Sequence, residues 1–189
     1  MPHSSGIGKE ETAKWFNVNK DSIQRVLDIG VGAGTYSKII KVQKNLCKNA
    51  EWVGVEAWAP YIEKFELNKL YDRVVNCDAR KIDWSDLGQF DVAIAGDVLE
   101  HMTKEEAVAL VDQILDHSTT LIVSIPIFDY PQGAAHGNPF EVHVKEDWSH
   151  EEVKDTWGQY VQRSFVGFYE EADGSLHSKL GVYWLSKKS

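Results

Sequence analysis

Only two cysteines, Cys47 and Cys77, occur in this chain. They are too few and too far apart for a redox Cys-x-x-Cys pair or a metal knuckle, so both are read as packing residues and no metal site is expected. No apolar run approaches the roughly 18 residues that a membrane span needs, and Met1-Pro-His-Ser-Ser5 lacks the apolar core of a signal peptide. The expected setting is the cytoplasm, with no membrane partner. Lys- and Arg-rich runs are missing too: 20 basic residues stand against 29 acidic ones, for a formal net charge of −9 and a pI near 5.2. Such a balance repels polyphosphate chains, so nucleic acid is not expected as a substrate. There is no internal repeat, linker or low-complexity tract, and 189 residues suit a single domain with a full core. Nothing in the sequence speaks to oligomeric state.

What is present is organised around residues 25–34, Arg-Val-Leu-Asp-Ile-Gly-Val-Gly-Ala-Gly. Val26, Leu27 and Ile29 read as a short buried strand, and Gly30, Gly32 and Gly34 follow at alternate positions before a helical pattern begins at Thr35. A turn of this kind strips side chains from backbone that a ligand must approach, and it aims the free N–H groups of the next helix at that ligand. The guest is nucleotide-like. A dinucleotide fingerprint would carry Gly or Ala at position 35, where Thr35 stands, so nicotinamide is disfavoured.

The same device recurs downstream. Residues 51–56, Glu-Trp-Val-Gly-Val-Glu, form an apolar strand ending in the acid Glu56, and Pro60 fits the first turn of a helix running through Phe65. Residues 73–78, Arg-Val-Val-Asn-Cys-Asp, end in Asp78. Residues 90–96 are nearly continuous in apolar side chains, as a strand covered on both faces should be, and Asp97 follows them. Ligands of open α/β sheets sit outside the carboxyl ends of the strands, which is where these acids fall.

Asp28 followed by Gly30-x-Gly32-x-Gly34 resembles the first motif of the class I S-adenosylmethionine-dependent methyltransferases. The resemblance runs from about Val26 to about Ile125. It implies that Glu56 accepts from the ribose hydroxyls, that Asp78 accepts from the adenine amino group and that the backbone at Ala79 reads the ring. Asp97-Val-Leu-Glu-His-Met102 resembles a Glu/Asp-Val-Leu-Glu-His segment of many small-molecule methyltransferases of this class, placing Asp97 beside the methionine end of the cofactor with Leu99 or His101 walling the site. Asp28, Gly30, Gly32 and Gly34 complete the implied set for S-adenosyl-L-methionine. The implied fold is α/β, Rossmann-like and doubly wound: a mostly parallel seven-stranded sheet with a C-terminal antiparallel hairpin and helices on both faces. The implied reaction is methyl transfer to an O or N nucleophile of a small molecule, a saccharide or metabolite.

Around this frame, residues 1–9 are small and polar and expected to be mobile unless a ligand orders them. Residues 10–16 suit a short helix with Trp15 and Phe16 buried against one sheet edge. Tyr36, Ile39, Ile40 and Leu46 form a helical stripe. Thr103-x-x-Glu106 is a capping box before the stripe Ala107, Leu110, Val111, Ile114 and Leu115, and Ser149-x-x-Glu152 is a second, leading Val153 and Trp157 to Gly158. Trp84 is read as core. Residues 161–169 and 180–185 are β-branched and aromatic with Asp173-Gly174 between them, a hairpin pattern.

Residues 127–147 are rich in aromatics and glycine and lack periodicity. Loops this long in compact domains are functional or disordered, and Phe128, Tyr130 and Phe140 argue against disorder. Leaving the carboxyl end of a central strand, the segment should roof the site and select the substrate. Its Gly137-Asn-Pro-Phe-Glu-Val-His143 core is similar to a segment in a group of uncharacterised bacterial and phage methyltransferases. His143 and His136 are the candidates for a general base, ahead of His101. Glu141 would orient His143 only if the segment bends. Asp28, Glu56, Asp78 and Asp97 together would make an acidic pocket suited to a cationic cofactor. Other readings remain: a cofactor-binding partner subunit without catalysis, aminopropyl or another transfer on the same fold, or a nicotinamide oxidoreductase.

Overall fold

The computed structural model describes residues 6–170 and 176–187. Among these described residues, seven strands occur: β1 (Arg25–Ile29), β2 (Glu51–Glu56), β3 (Arg73–Asn76), β4 (Phe90–Gly96), β5 (Ser118–Pro126), β6 (Val161–Glu170) and β7 (Leu176–Leu185). They form one sheet in the order β3-β2-β1-β4-β5-β7-β6. The first five pair in parallel, whereas β7 lies antiparallel to both β5 and β6. This is the doubly wound sheet with a closing hairpin expected above; Asp173-Gly174 lies outside the described residues.

Strand alternation explains the two cores. Val26, Val92, Ile94 and Ile122 face a layer with Phe16, Tyr36 and Ile40. Leu27, Ile29, Ala93, Leu121 and Val123 face the other, with Leu110, Val111 and Ile114. Each fully buried Val, Leu or Ile contributes about 1.5–3 kcal/mol, so a strand buried on both faces holds the sheet's centre firmly. The chain winds outward from β1 through β2 to β3, then returns to β4 and β5 on the opposite side. The connections after β1 and β4 therefore diverge and open a crevice at their carboxyl ends.

Among the described residues, six α-helices flank the sheet: α1 (Lys9–Asn19), α2 (Thr35–Ser37), α3 (Ala59–Lys64), α4 (Trp84–Leu87), α5 (Lys104–His117) and α6 (His150–Trp157). Helix α1 is longer at both ends than the expected 10–16, and Lys9, expected in a mobile stretch, is buried. The regular helix expected after the glycine turn is instead one α turn running into π turns over Lys38–Gln43. Tyr36 and Ile40 are buried as the stripe predicted, but Leu46 falls beyond the helix, its N–H donating to Ile40 O at 2.9 Å. Trp84 is only partly buried and stacks on His117.

Thr103 and Glu106 form the complete reciprocal cap of α5. At α6 only half of the box exists. Ser149 Oγ accepts from Glu152 N at 3.0 Å, while the Glu152 carboxylate pairs with Lys104 and Lys145. Residues 127–147 hold one 3-10 turn, Pro139–Glu141, and an isolated bridge between Ala135 and Asn138. Val144 N and Lys145 N both donate to the backbone carbonyl of Glu100, at 2.8 and 3.0 Å, which staples the segment over the end of β4. No described helix is long and apolar enough to cross a membrane.

Candidate active site

The glycine turn leaves β1 with Gly30 at φ +66°, and the N–H groups of Gly30 and Val31 both donate to Val55 O. A Cβ on Gly30 would lie 2.5 Å from Val98 Cγ2, so both conformation and space demand glycine there. One step on, Gly32 N donates to Glu56 Oε2 at 2.9 Å, and Trp58 N donates to Glu56 Oε1 at 2.8 Å. Burial pushes the Glu56 pKa up, and the N–H bonds from Trp58 and Gly32 oppose that rise. A backbone bond from Ala57 also acts on the carboxylate, whose two oxygens offer about four acceptor sites, so one remains for a ligand hydroxyl.

Asp97 closes β4 at φ +57°, a left-handed conformation that costs a non-glycine residue energy and that aspartate tolerates better than most. Two bonds hold it: its N–H donates to Ser124 O at 2.7 Å, and Ser124 Oγ donates to its Oδ1 at 3.0 Å. Lys9 Nζ stands 3.9 Å from Asp97 Oδ2 and donates to Tyr36 Oη at 2.7 Å.

A cavity of about 610 Å³ joins these parts, lined by Gly30, Gly32, Glu56, Asp78 and Ala79 together with Asp97, His101 and His143. That volume falls in the range of small-molecule sites, about 300–1,000 Å³. Asp78 meets the cavity already engaged: Arg80 Nη2 and Nε donate to its carboxylate at 2.6 and 2.9 Å, and that guanidinium holds its pKa below the usual range.

Four of the expected residues do not line the cavity. Asp28 shares a strand face with Val26 and points into the interior, where Tyr71 Oη donates to its Oδ2 at 2.6 Å. Burial pushes its pKa up to about 7, against the Tyr71 hydrogen bond and the charge of Lys9. Gly34 packs against Leu70. Leu99 is fully buried in the α5-side core. His136 is exposed and at φ +53°.

The histidines at the roof are held by backbone. His143 Nδ1 lies 2.6 Å from Tyr130 O, and His101 Nδ1 lies 3.1 Å from Val142 O. A carbonyl only accepts, so the hydrogen bonds assign the proton of each ring to Nδ1 and leave a lone pair on Nε2. Their ring centroids are 4.9 Å apart, and burial pushes the His101 pKa down. Glu141, which would orient His143 only if the segment bends, accepts from Tyr61 Oη through its Oε1 at 3.2 Å.

Glu100, named in the sequence only as part of a motif, is buried with Oε2 lacking any hydrogen-bond partner, and burial together with the charge of Asp97 raises its pKa well above the ordinary value. Tyr36, Tyr61, Arg80 and Glu100 all line the cavity and were not expected to. The Glu100-His101 adjacency at a strand end was the available signal.

The bare glycine backbone and the incompletely satisfied Glu56 fit an adenosyl cofactor. A family model described as a methyltransferase domain matches residues 27–123, 97 of 189. Among solved structures, the N-terminal domain of EvdMO1 with SAH bound is 14% identical at a TM-score of 0.68, covering 98% of this chain and 83% of that one. Magnesium protoporphyrin IX methyltransferase (ChlM) from Synechocystis PCC 6803, with bound SAM, is 14% identical at a TM-score of 0.63, covering 95% and 78%. Likeness at this identity shows the fold. No match is found among curated proteins. With more than half of its length matched, the chain belongs to the methyltransferase domain family and is an S-adenosylmethionine-dependent methyltransferase.

Proposed function

We propose that the protein methylates an oxygen or nitrogen nucleophile of a small molecule, a saccharide or other metabolite, held beneath residues 127–147. One observation carries this reading: a single cavity is lined both by the glycine turn with Glu56 and by the His101–His143 pair. Gly30, Gly32, Glu56, Asp78, Ala79 and Asp97 are the residues to hold S-adenosylmethionine, which supplies an electrophilic methyl on a positively charged sulfur. The acidic side chains among them suit that charge.

The chain's own residues bind and orient the acceptor, and such positioning is worth about 7–11 kcal/mol in well-aligned reactions. Phe128 and Tyr130 stack at 5.1 Å between centroids, and both line the cavity with Phe140. Aromatic faces of this kind hold flat or partly apolar small molecules and exclude water. The acceptor is activated at the His101–His143 pair, through nitrogens that carry lone pairs. A net charge of −9 supports a small molecule over nucleic acid.

The test is calorimetric titration with S-adenosylmethionine, followed by measurement of S-adenosylhomocysteine with a panel of hydroxyl- and amine-bearing small molecules. Product with one class and none with RNA or DNA is the expected result. Binding without product for any acceptor would instead favour a non-catalytic cofactor-binding subunit.

A further inference from the structure

We infer that Glu100, His101 and His143 hold a divalent transition-metal cation whose open positions take an oxygen of the methyl acceptor. The site deepens the function proposed above and rests on that reading only for its acceptor. Each of the three residues offers a ligating atom, and these atoms all lie within 4.8 Å of one another. In a tetrahedral shell, bonds of about 2.0–2.2 Å put two ligands about 3.3–3.6 Å apart, so binding draws the three groups together by up to about 1.5 Å through side-chain rotation.

Three features make this a built site rather than a chance cluster. Both imidazoles present Nδ1–H to a backbone carbonyl, Tyr130 O and Val142 O, the outer-shell arrangement that fixes the tautomer of metal-binding histidines. The Glu100 carboxylate is 2% exposed, and its Oε2 has no hydrogen-bond partner. An isolated buried carboxylate is costly, and a cation at this point removes the cost. Lys9 Nζ donates to Tyr36 and stands 3.9 Å from Asp97; its charge acts on Glu100 without a bond to Oε2. Finally, the Glu100 carbonyl takes the N–H groups of Val144 and Lys145, so the residue supplying one ligand also anchors the segment that carries another.

Two imidazoles and one carboxylate select first-row transition metals, zinc included, over magnesium or calcium, which prefer all-oxygen shells. Three protein ligands leave coordination positions open, the mark of a catalytic rather than a structural centre. All three residues line the cavity, so those positions face the acceptor. A hydroxyl on the cation releases its proton to water more readily, as zinc-bound water does, and its electron pair stays on oxygen as the nucleophile. Acceptors with two adjacent oxygens, able to chelate, fit best.

The experiment uses the full chain stripped with a chelator and titrated with Co2+, Zn2+ and Mg2+ by calorimetry, with Co2+ also followed by visible absorption. One equivalent of Co2+ or Zn2+ should bind, Mg2+ should not at the same concentration, and no cysteine-thiolate charge-transfer band should appear. His143→Ala and Glu100→Gln should each weaken binding at least tenfold, whereas His117→Ala should not. If a variant unfolds, the rise in wild-type Tm on adding Co2+ reads the same equilibrium. No stoichiometric uptake by the wild type, or equal uptake by the folded variants, overturns the inference. S-adenosylmethionine titration of the same stripped sample separates the two claims: cofactor binding without metal uptake sinks the metal site alone, and metal uptake without cofactor binding sinks the methyl-transfer reading alone.

Discussion

The backbone N–H of Gly32 donates to Glu56 Oε2 at 2.9 Å, so the acid that ends β2 holds the glycine turn that follows β1. The same carboxylate takes Trp58 N and lines the cavity. Glu56→Ala leaves two donors without their acceptor and removes the partner for ligand hydroxyls. Hydrogen bonds to charged groups are worth about 1.5–3 kcal/mol, so S-adenosylmethionine affinity should fall at least tenfold by calorimetry. Unchanged affinity would remove Glu56 from the cofactor site.

Asp28 ties stability to pH. Its folded pKa is about 7, against an ordinary 3.8. Between those values the native state keeps a proton that the unfolded chain has released, so stability falls as pH rises through the window and levels off above it. The full effect is at most ~4 kcal/mol at 1.36 kcal/mol per pKa unit. Asp28→Asn cannot ionise and still offers Tyr71 an oxygen. Denaturant melts should show the variant gaining on wild type by about 2–3 kcal/mol from pH 5 to pH 8; a constant difference would contradict the assignment.

Gly96 carries a steric requirement at the cavity wall. A Cβ there would lie 2.2 Å from Tyr36 Cε2, and that ring is buried and pinned by Lys9. Gly96→Ala should cost about 1–3 kcal/mol, as overpacking does, and weaken cofactor binding by displacing Tyr36. Thermal melts and calorimetry on one sample read both, and a variant identical to wild type would show that the ring moves freely.

His143→Ala should leave S-adenosylmethionine affinity unchanged and slow turnover about a hundredfold or more, the scale of lost acceptor activation, whether the ring takes the proton itself or holds the cation that makes the acceptor more acidic. Single-turnover rates with the identified acceptor measure this. Undiminished turnover would take His143 out of the chemistry.

Much of this protein is local and therefore legible from the chain alone. A run of apolar residues ending at Gly30, Gly32 and Gly34 dictates strand and turn because only glycine reaches those backbone angles cheaply, and Thr103 with Glu106 dictates where α5 starts because the cap lies within one turn. Acids at the ends of successive strands point to the sheet's binding edge by the same logic. Which way each acid faces is another matter. Strand alternation turns Asp28 to the face where Tyr71 waits 43 positions away, Arg80 claims Asp78, and His101 comes to rest against His143 because residues 127–147 are stapled to the Glu100 carbonyl. Apart from Arg80, two residues from Asp78, those partners are distant in sequence and no periodicity links them. Only the closed tertiary fold, where burial drives most polar atoms to find a partner, determines who meets whom.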